Sequence, residues 1–217
     1  ASALSFSVPS TTNNVSLGLY GLTFENNSVG GGQPSTTLYV ECVGLCQNLT
    51  VAVEDVVFDN NVSPTSAALV MKQVGTLEWT NVAFTNNKAL IAPTGMVVQL
   101  EHNSAVDWRW TDITMTNNYG TFYANAYTGE CHWTLGSVTS NTVTGQAVVL
   151  FESIGDVTYQ FNNLTFSNNI NEHDILPTVI TAALAMRFNE RSTTSSFNNL
   201  HFNANENYAA MFLHLNI

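Results

Sequence analysis

An apolar residue followed three positions later by asparagine recurs seven times along the chain. The pairs are Phe24 with Asn27, Phe58 with Asn61, Phe84 with Asn87, Met115 with Asn118, Val138 with Asn141, Phe166 with Asn169 and Phe202 with Asn205. Successive anchors lie 23 to 36 residues apart, so insertions vary in length while a core unit is kept. With the anchor as position zero, position −7 is Leu17, Val51, Leu77, Trp108, Cys131, Tyr159 and Ser195, and position −5 is Leu19, Val53, Trp79, Trp110, Trp133, Phe161 and Phe197. Between them, position −6 holds Gly18, Ala52, Glu78, Arg109, His132, Gln160 and Ser196. Period-two alternation of this kind predicts a half-buried strand. At −3, Asp55, Asn81, Asp112, Asn163 and Asn199 break the alternation, and residues of that type favour a tight bend. A second short strand then runs through position −2 (Leu22, Val56, Val82, Ile113, Gly136, Leu164, Leu200) to the anchor.

After each Asn comes a third apolar segment: 38–40, 67–71, 96–100, 122–127, 148–151, 179–186 and 209–215. Repeats of this kind are sought before other signals, because a fixed unit dictates the architecture. Three strands and three corners per unit, with no helical crossover, predict an all-β chain, a right-handed parallel β-helix or solenoid of about seven coils. At roughly 4.8 Å per coil it would be on the order of 34 Å long. Aligned columns become ladders: Asn27, Asn61, Asn87, Asn118, Asn141, Asn169 and Asn205 exchanging amide hydrogen bonds, and the aromatic anchors stacking. The whole chain, 1–217, reads as one domain. Residues 1–16 form an N-terminal strand and assembly segment, with Leu4-Ser-Phe-Ser-Val8 alternating, and 17–217 form the coils.

The unit Phe84-Thr-Asn-Asn87-Lys-Ala89, followed by Gly95-Met-Val-Val98, is similar to the F-x-x-N-x-A and G-G-A-I pattern of the chlamydial polymorphic outer-membrane proteins and related extracellular β-helix repeat proteins. The resemblance covers the chain from about residue 17 onward. It departs at the Gly-Gly-Ala-Ile block, of which only Thr94-Gly95 and Thr144-Gly145 remain, and at the family's C-terminal membrane barrel, which has no counterpart here. The resemblance implies a secreted, surface-associated, non-enzymatic adhesive or structural role.

Composition narrows the partners. Only 10% of the 217 residues are charged, and the formal net charge is −11 with five Lys and Arg. Nucleic-acid binding needs clustered basic residues, so it is not expected, and neither is membrane insertion, for want of a long apolar run. Asn and Thr number 27 and 26, types that favour turns and strands over helix interiors.

Asn-x-Ser/Thr sequons stand at Asn14, Asn26, Asn48, Asn61 and Asn163. N-glycans are expected on Asn14, Asn26, Asn48 and Asn163, at loops and corners. Asn61 belongs to the ladder and its sequon precedes Pro64, so it is expected bare. Cys42 and Cys46, four apart across a turn with Gly44, read as a local disulfide in an oxidising compartment. Cys131 reads as a buried apolar residue. No metal or other cofactor is expected. No n-region and h-region precede Ala1, as when a secretion signal has been removed.

The remaining chemistry has plain structural readings. Trp79, Trp110 and Trp133 facing outward as a sugar platform would force Glu78, Arg109 and His132 inward, which costs far more than burying indoles. They therefore belong to the core. Glycoside hydrolysis needs two carboxylates a fixed distance apart; Glu101 and Glu152 both end third strands but are expected roughly 10 Å apart, two coils from each other. Glu78 and Arg109 share a column in adjacent coils and read as a surface ion pair, and Glu172-His173-Asp174 reads as a solvated loop. Thr85, Thr116, Thr139 and Ser167, with Thr114, Ser137 and Thr165, form outward hydroxyl columns that suit exposed strands. Taken together, the expectation is a secreted or cell-surface β-helix that joins head to tail with copies of itself into a fibre or coat. A fragment of a surface adhesin and a polysaccharide lyase or hydrolase are the alternatives.

Overall fold

The computed structural model describes residues 2–9, 14–30, 36–43, 49–91, 95–144, 147–172, 182–188, 193–206 and 209–215. Cys46, Asn48, Thr94, Gly145, His173 and Asp174 lie outside them. The described chain is all-β, without helices, and every strand pairing is parallel. It builds two large sheets. The first contains, in chain order, Ser2–Pro9, Thr36–Val43, Ser66–Lys72, Met96–Glu101, Thr121–Ala126, Val149–Ser153, Ala182–Phe188 and Ala209–Leu215. The second contains Val15–Tyr20 with Thr23–Glu25, then Leu49–Asp59, Thr76–Thr85, Ala105–Thr116, Thr128–Thr139, Val157–Ser167 and Thr194–Asn203. The chain passes from one sheet to the other and back, advancing one strand each time, an arrangement compatible with a β-solenoid.

The strands of the second sheet explain the alternating columns. Their in-pointing residues at −7, −5, −2 and 0 meet those of the first sheet in one apolar cluster. The two short strands expected on either side of position −3 run as one paired strand through the bend in every unit from Leu49–Asp59 onward. Residue −3 has a left-handed backbone in all seven units: Gly21, Asp55, Asn81, Asp112, Leu135, Asn163 and Asn199, with φ between 52° and 60°. Asn, Asp and Gly tolerate that conformation best, which is why they dominate the column. A second left-handed column, at position +2, comprises Asn26, Asn60, Asn86, Asn117, Ser140, Asn168 and Ala204. It turns the chain just before each ladder Asn, and a brief strand such as Val62–Ser63 or Lys88–Ala89 follows in several units.

Inside, the anchors stack where they are phenylalanine. Phe24, Phe58 and Phe84 lie 4.9 and 5.1 Å apart with rings within 8° of parallel, and Phe166 and Phe202 are 5.0 Å apart. In the middle units the anchors are Met115 and Val138, and the flanking Phe84 and Phe166 meet the indoles of Trp79 and Trp133, at 5.7 and 6.4 Å. Gly136 interrupts an otherwise apolar column because the Trp133 indole occupies its place: a Cβ there would lie 2.6 Å from Trp133 Nε1. The first sheet is buried on both faces along much of its length. Leu150, Ala185, Ala147 and Ala182 form a second, smaller apolar cluster with Tyr123 and Phe212.

Candidate assembly interface

The ladder asparagines form a continuous hydrogen-bonded array from Asn27 to Asn205. Each interior member donates one Nδ2 hydrogen forward to the next Asn Oδ1 and the other back to the preceding anchor's carbonyl. For Asn87 these are Asn118 Oδ1 at 3.0 Å and Phe58 at 2.8 Å. Each interior Oδ1 accepts two bonds from the preceding Asn, one from its backbone N–H and one from its Nδ2, as Asn141 Oδ1 does from Asn118, both at 2.9 Å. The pattern repeats from Asn27 to Asn205. An amide side chain has two donors and two acceptor sites, so the five interior members are saturated. Burial follows: Asn61, Asn87, Asn118, Asn141 and Asn169 are all at most 3% exposed. The ladder is polar, with every amide oriented alike along the stack.

At the two outermost rungs the pattern is incomplete. Asn27 Oδ1 faces no preceding rung, and Asn205 N–H and one Nδ2 hydrogen face no following one among the described residues. The sheets also end on apolar side chains that interior rungs would bury. Leu4 and Leu22 are each 37% exposed at one end and Leu213 is 51% exposed at the other. Phe6, Val8, Phe24, Phe197, Leu200, Phe202 and Met211 pack against the core from the same two ends while only partly buried.

The other candidate residues fall into place around this stack. Asn14, Asn26 and Asn163 are exposed at left-handed bends with φ of 55–56°, whereas Asn61 is fully buried. Cys42 is disulfide-bonded, and Cys131 is a buried free thiol whose ionisation is strongly opposed by desolvation. Trp79, Trp110 and Trp133 are at most 2% exposed, in mutual ring contact at 5.6 and 6.0 Å. Their indole N–H groups are buried without partners, while Trp108 Nε1 donates to the Val74 carbonyl at 3.0 Å.

Glu101 and Glu152 point outward from one column of the first sheet, two strands apart with Asn125 between them. Lys72 lies 3.5 Å from Glu101, and Gln99 Nε2 donates to it at 2.7 Å. Glu152 pairs with Arg187 and accepts from the Tyr123 hydroxyl at 2.8 Å. Burial, then that bond and the carboxylate charge, push the Tyr123 phenol far up. Each carboxylate is thus tied to a cation of its own.

Arg109 does not pair with Glu78 as the columns suggest. Its Nε and Nη2 bind both oxygens of Asp107, at 2.8 and 3.2 Å, because a guanidinium fork matches one carboxylate in bidentate fashion and Asp107 flanks it on the same strand. The outward hydroxyls are partly spent on one another, Ser137 with Thr139 at 2.9 Å and Thr139 with Ser167 at 3.3 Å.

Sequence reasoning missed the +2 bends. Their signal was available as the Asn-Asn doublets at 26–27, 60–61, 86–87, 117–118 and 168–169, where the first residue bends the chain and the second joins the ladder. Comparison with protein-family models, with curated proteins and with solved structures finds no match to this chain. The likeness to F-x-x-N repeat proteins therefore stands on the residues quoted above.

Proposed function

We propose that the chain is a right-handed parallel β-helix of the F-x-x-N kind, and that it is a secreted, N-glycosylated building block that stacks head to tail with copies of itself into an extracellular fibre or surface coat. The polarity of the Asn ladder carries this reading. One outer rung offers donors, the Asn205 N–H and Nδ2, beside the Phe202 carbonyl, which stands where other anchors accept a bond from the next Asn. The opposite rung offers the Asn27 Oδ1 acceptor and a spare Nδ2 hydrogen. Brought together in register, Asn205 donates to Asn27 Oδ1 and Asn27 donates to the Phe202 carbonyl, as in every interior step. The apolar columns continue as well, with Phe202 against Phe24, Leu200 against Leu22 and Met211 against Leu38; the first sheet has one strand more than the second, so the joint requires Ser2–Pro9 of the added copy to leave its edge and give its rung to Ala209–Leu215. Such a contact joins unlike surfaces, so it does not close on itself and propagates. The pairing of Glu101 with Lys72 and of Glu152 with Arg187 favours a structural over a hydrolytic role for these carboxylates.

Negative-stain imaging and sedimentation of the purified chain test the proposal. Filaments are expected for the unaltered chain. Leu22→Lys and Leu200→Lys each put a charge on one end and are expected to give single rods alone. Mixed, they are expected to give dimers, since each retains the end the other has lost. Monodisperse short rods from the unaltered chain would sink the assembly reading.

A further inference from the structure

The outer bends differ in what they offer their neighbours, and the sequon asparagine Asn163, although it has a unit on either side, is left with an amide donor that binds nothing. At position −3, Asn81 Nδ2 donates to Asp55 Oδ1 at 2.6 Å and Asn199 Nδ2 to Asn163 Oδ1 at 2.8 Å. At position +2, Asn60 Nδ2 donates to Asn26 Oδ1 at 2.6 Å. In each pair the amide nitrogen faces the preceding unit. Asn163 has Leu135 there, since Asn162 registers with Thr134 and Leu164 with Gly136. A leucine side chain has no acceptor, so the oxygen of Asn163 is held and its nitrogen is free.

Leu135 is itself out of place. It takes φ 60° where the other six units have Gly, Asp or Asn, and it is 48% exposed. A leucine in the left-handed region carries steric strain, and on the surface it recovers little by burial. Asn163-Leu164-Thr165 is a sequon, and Asn163 is exposed. Asn61 is the opposite case: it is fully buried, with both amide hydrogens bound, to the Phe24 carbonyl and Asn87 Oδ1.

We propose that Asn163 is an N-glycosylation site at which the linkage uses this free nitrogen and the apolar face of the first sugar ring lies over Leu135. The donor is a lipid-linked oligosaccharyl diphosphate. The Asn163 nitrogen loses one hydrogen as a proton and bonds the anomeric carbon, and the lipid diphosphate leaves with the electrons of the broken C–O bond. The amide oxygen is untouched, so the bond from Asn199 survives. The site rests on the reading of the chain as a secreted protein, since that compartment supplies the donor.

The test is expression through a eukaryotic secretory pathway, site-by-site glycopeptide mapping, and urea unfolding. Thr165→Ala removes the sequon without altering Asn163. Occupancy of Asn163 is expected, with Asn61 bare. Thr165→Ala is expected to lower the unfolding midpoint in the otherwise unaltered chain. In a Leu135→Asp background, where Asn163 gains the kind of acceptor that Asp55 gives Asn81 and the sugar loses its platform, at least half of that loss should vanish. A secreted chain carrying glycans elsewhere but none on Asn163 overturns the site, and an equal loss in both backgrounds overturns the Leu135 contact. Neither result touches the assembly reading, which fails if the unaltered chain gives only single rods.

Discussion

Asparagine to aspartate at position 118 exchanges one group in the ladder and keeps its shape. Asn118 is 3% exposed. Its Oδ1 accepts from Asn87 N–H and Nδ2, both at 3.0 Å, and its Nδ2 donates to the Phe84 carbonyl at 2.7 Å and to Asn141 Oδ1 at 2.9 Å. In Asn118→Asp the atom replacing Nδ2 is an oxygen that faces two acceptors. Two buried acceptors lose a donor, and at about 1–3 kcal/mol each the loss is about 2–6 kcal/mol. That is a large part of the roughly 5–15 kcal/mol that holds a domain together. Protonation restores one donor, so the new carboxyl is held above the usual carboxylate range by burial and by the acceptors opposite it. A group whose folded pKa is raised binds its proton more tightly in the folded state. The deficit is therefore smallest below the unfolded value of about 3.9 and grows by about 1.4 kcal/mol per pH unit until the folded value is passed. Asn117→Asp is the control, because Asn117 is exposed at a left-handed bend with φ 55° and should change stability by no more than about 0.5 kcal/mol. Urea unfolding followed by circular dichroism at pH 4, 5.5 and 7 reads both. With a slope of roughly 2–3 kcal/mol per molar urea, the Asn118→Asp midpoint should fall by about 1–2 M at pH 7 and recover on acidification. Equal midpoints for the two variants at pH 7, or no recovery, would refute the claim that ladder bonds hold the rungs together.

Two further outcomes follow from buried polar groups. His102 is 4% exposed, accepts the Ser104 N–H on Nδ1 at 3.1 Å, and has its pKa lowered to about 4 by burial. Because the folded value lies below the unfolded one near 6.5, stability is lost as pH falls from about 6.5 to about 4, by up to about 3 kcal/mol, and His102→Gln should flatten that part of the unfolding profile. Trp108→Phe strips the Val74 carbonyl of its donor, whereas Trp110→Phe removes an N–H that has no partner. Trp108→Phe should therefore be the less stable of the two by about 1–3 kcal/mol, measured as the difference in their urea unfolding free energies.

The second sheet was legible because one face of it meets the core and the other meets solvent, so alternation survives in the letters from Leu17 to Phe202. The first sheet was legible only as apolar runs. Val70 and Leu150 point away from the main core and are still at most 6% exposed, and a strand covered on both faces has no polar side to mark its register. The bend at −3 showed itself through Asn and Asp, but Leu135 breaks that rule and Gly136 breaks the next column. Both exceptions sit beside Trp133, whose indole takes the room Gly136 vacates. The Arg109 pairing went astray because column alignment says which residues are neighbours without saying which of two neighbouring carboxylates a planar fork will fit. The candidate interface was readable as a row of like residues. The direction of the amides along that row was not, since orientation is fixed by backbone carbonyls that carry no side-chain letter.

The interior indoles have an optical consequence. Trp79, Trp110 and Trp133 are enclosed by Phe122, Phe151 and Phe161, with neighbouring ring centroids about 5–6 Å apart. Chromophores that close exchange excitation, and indoles kept from water emit at the short-wavelength edge of tryptophan's range. The native chain should therefore glow blue-shifted and depolarised without any added dye. Loss of that signature would report the moment the two sheets part.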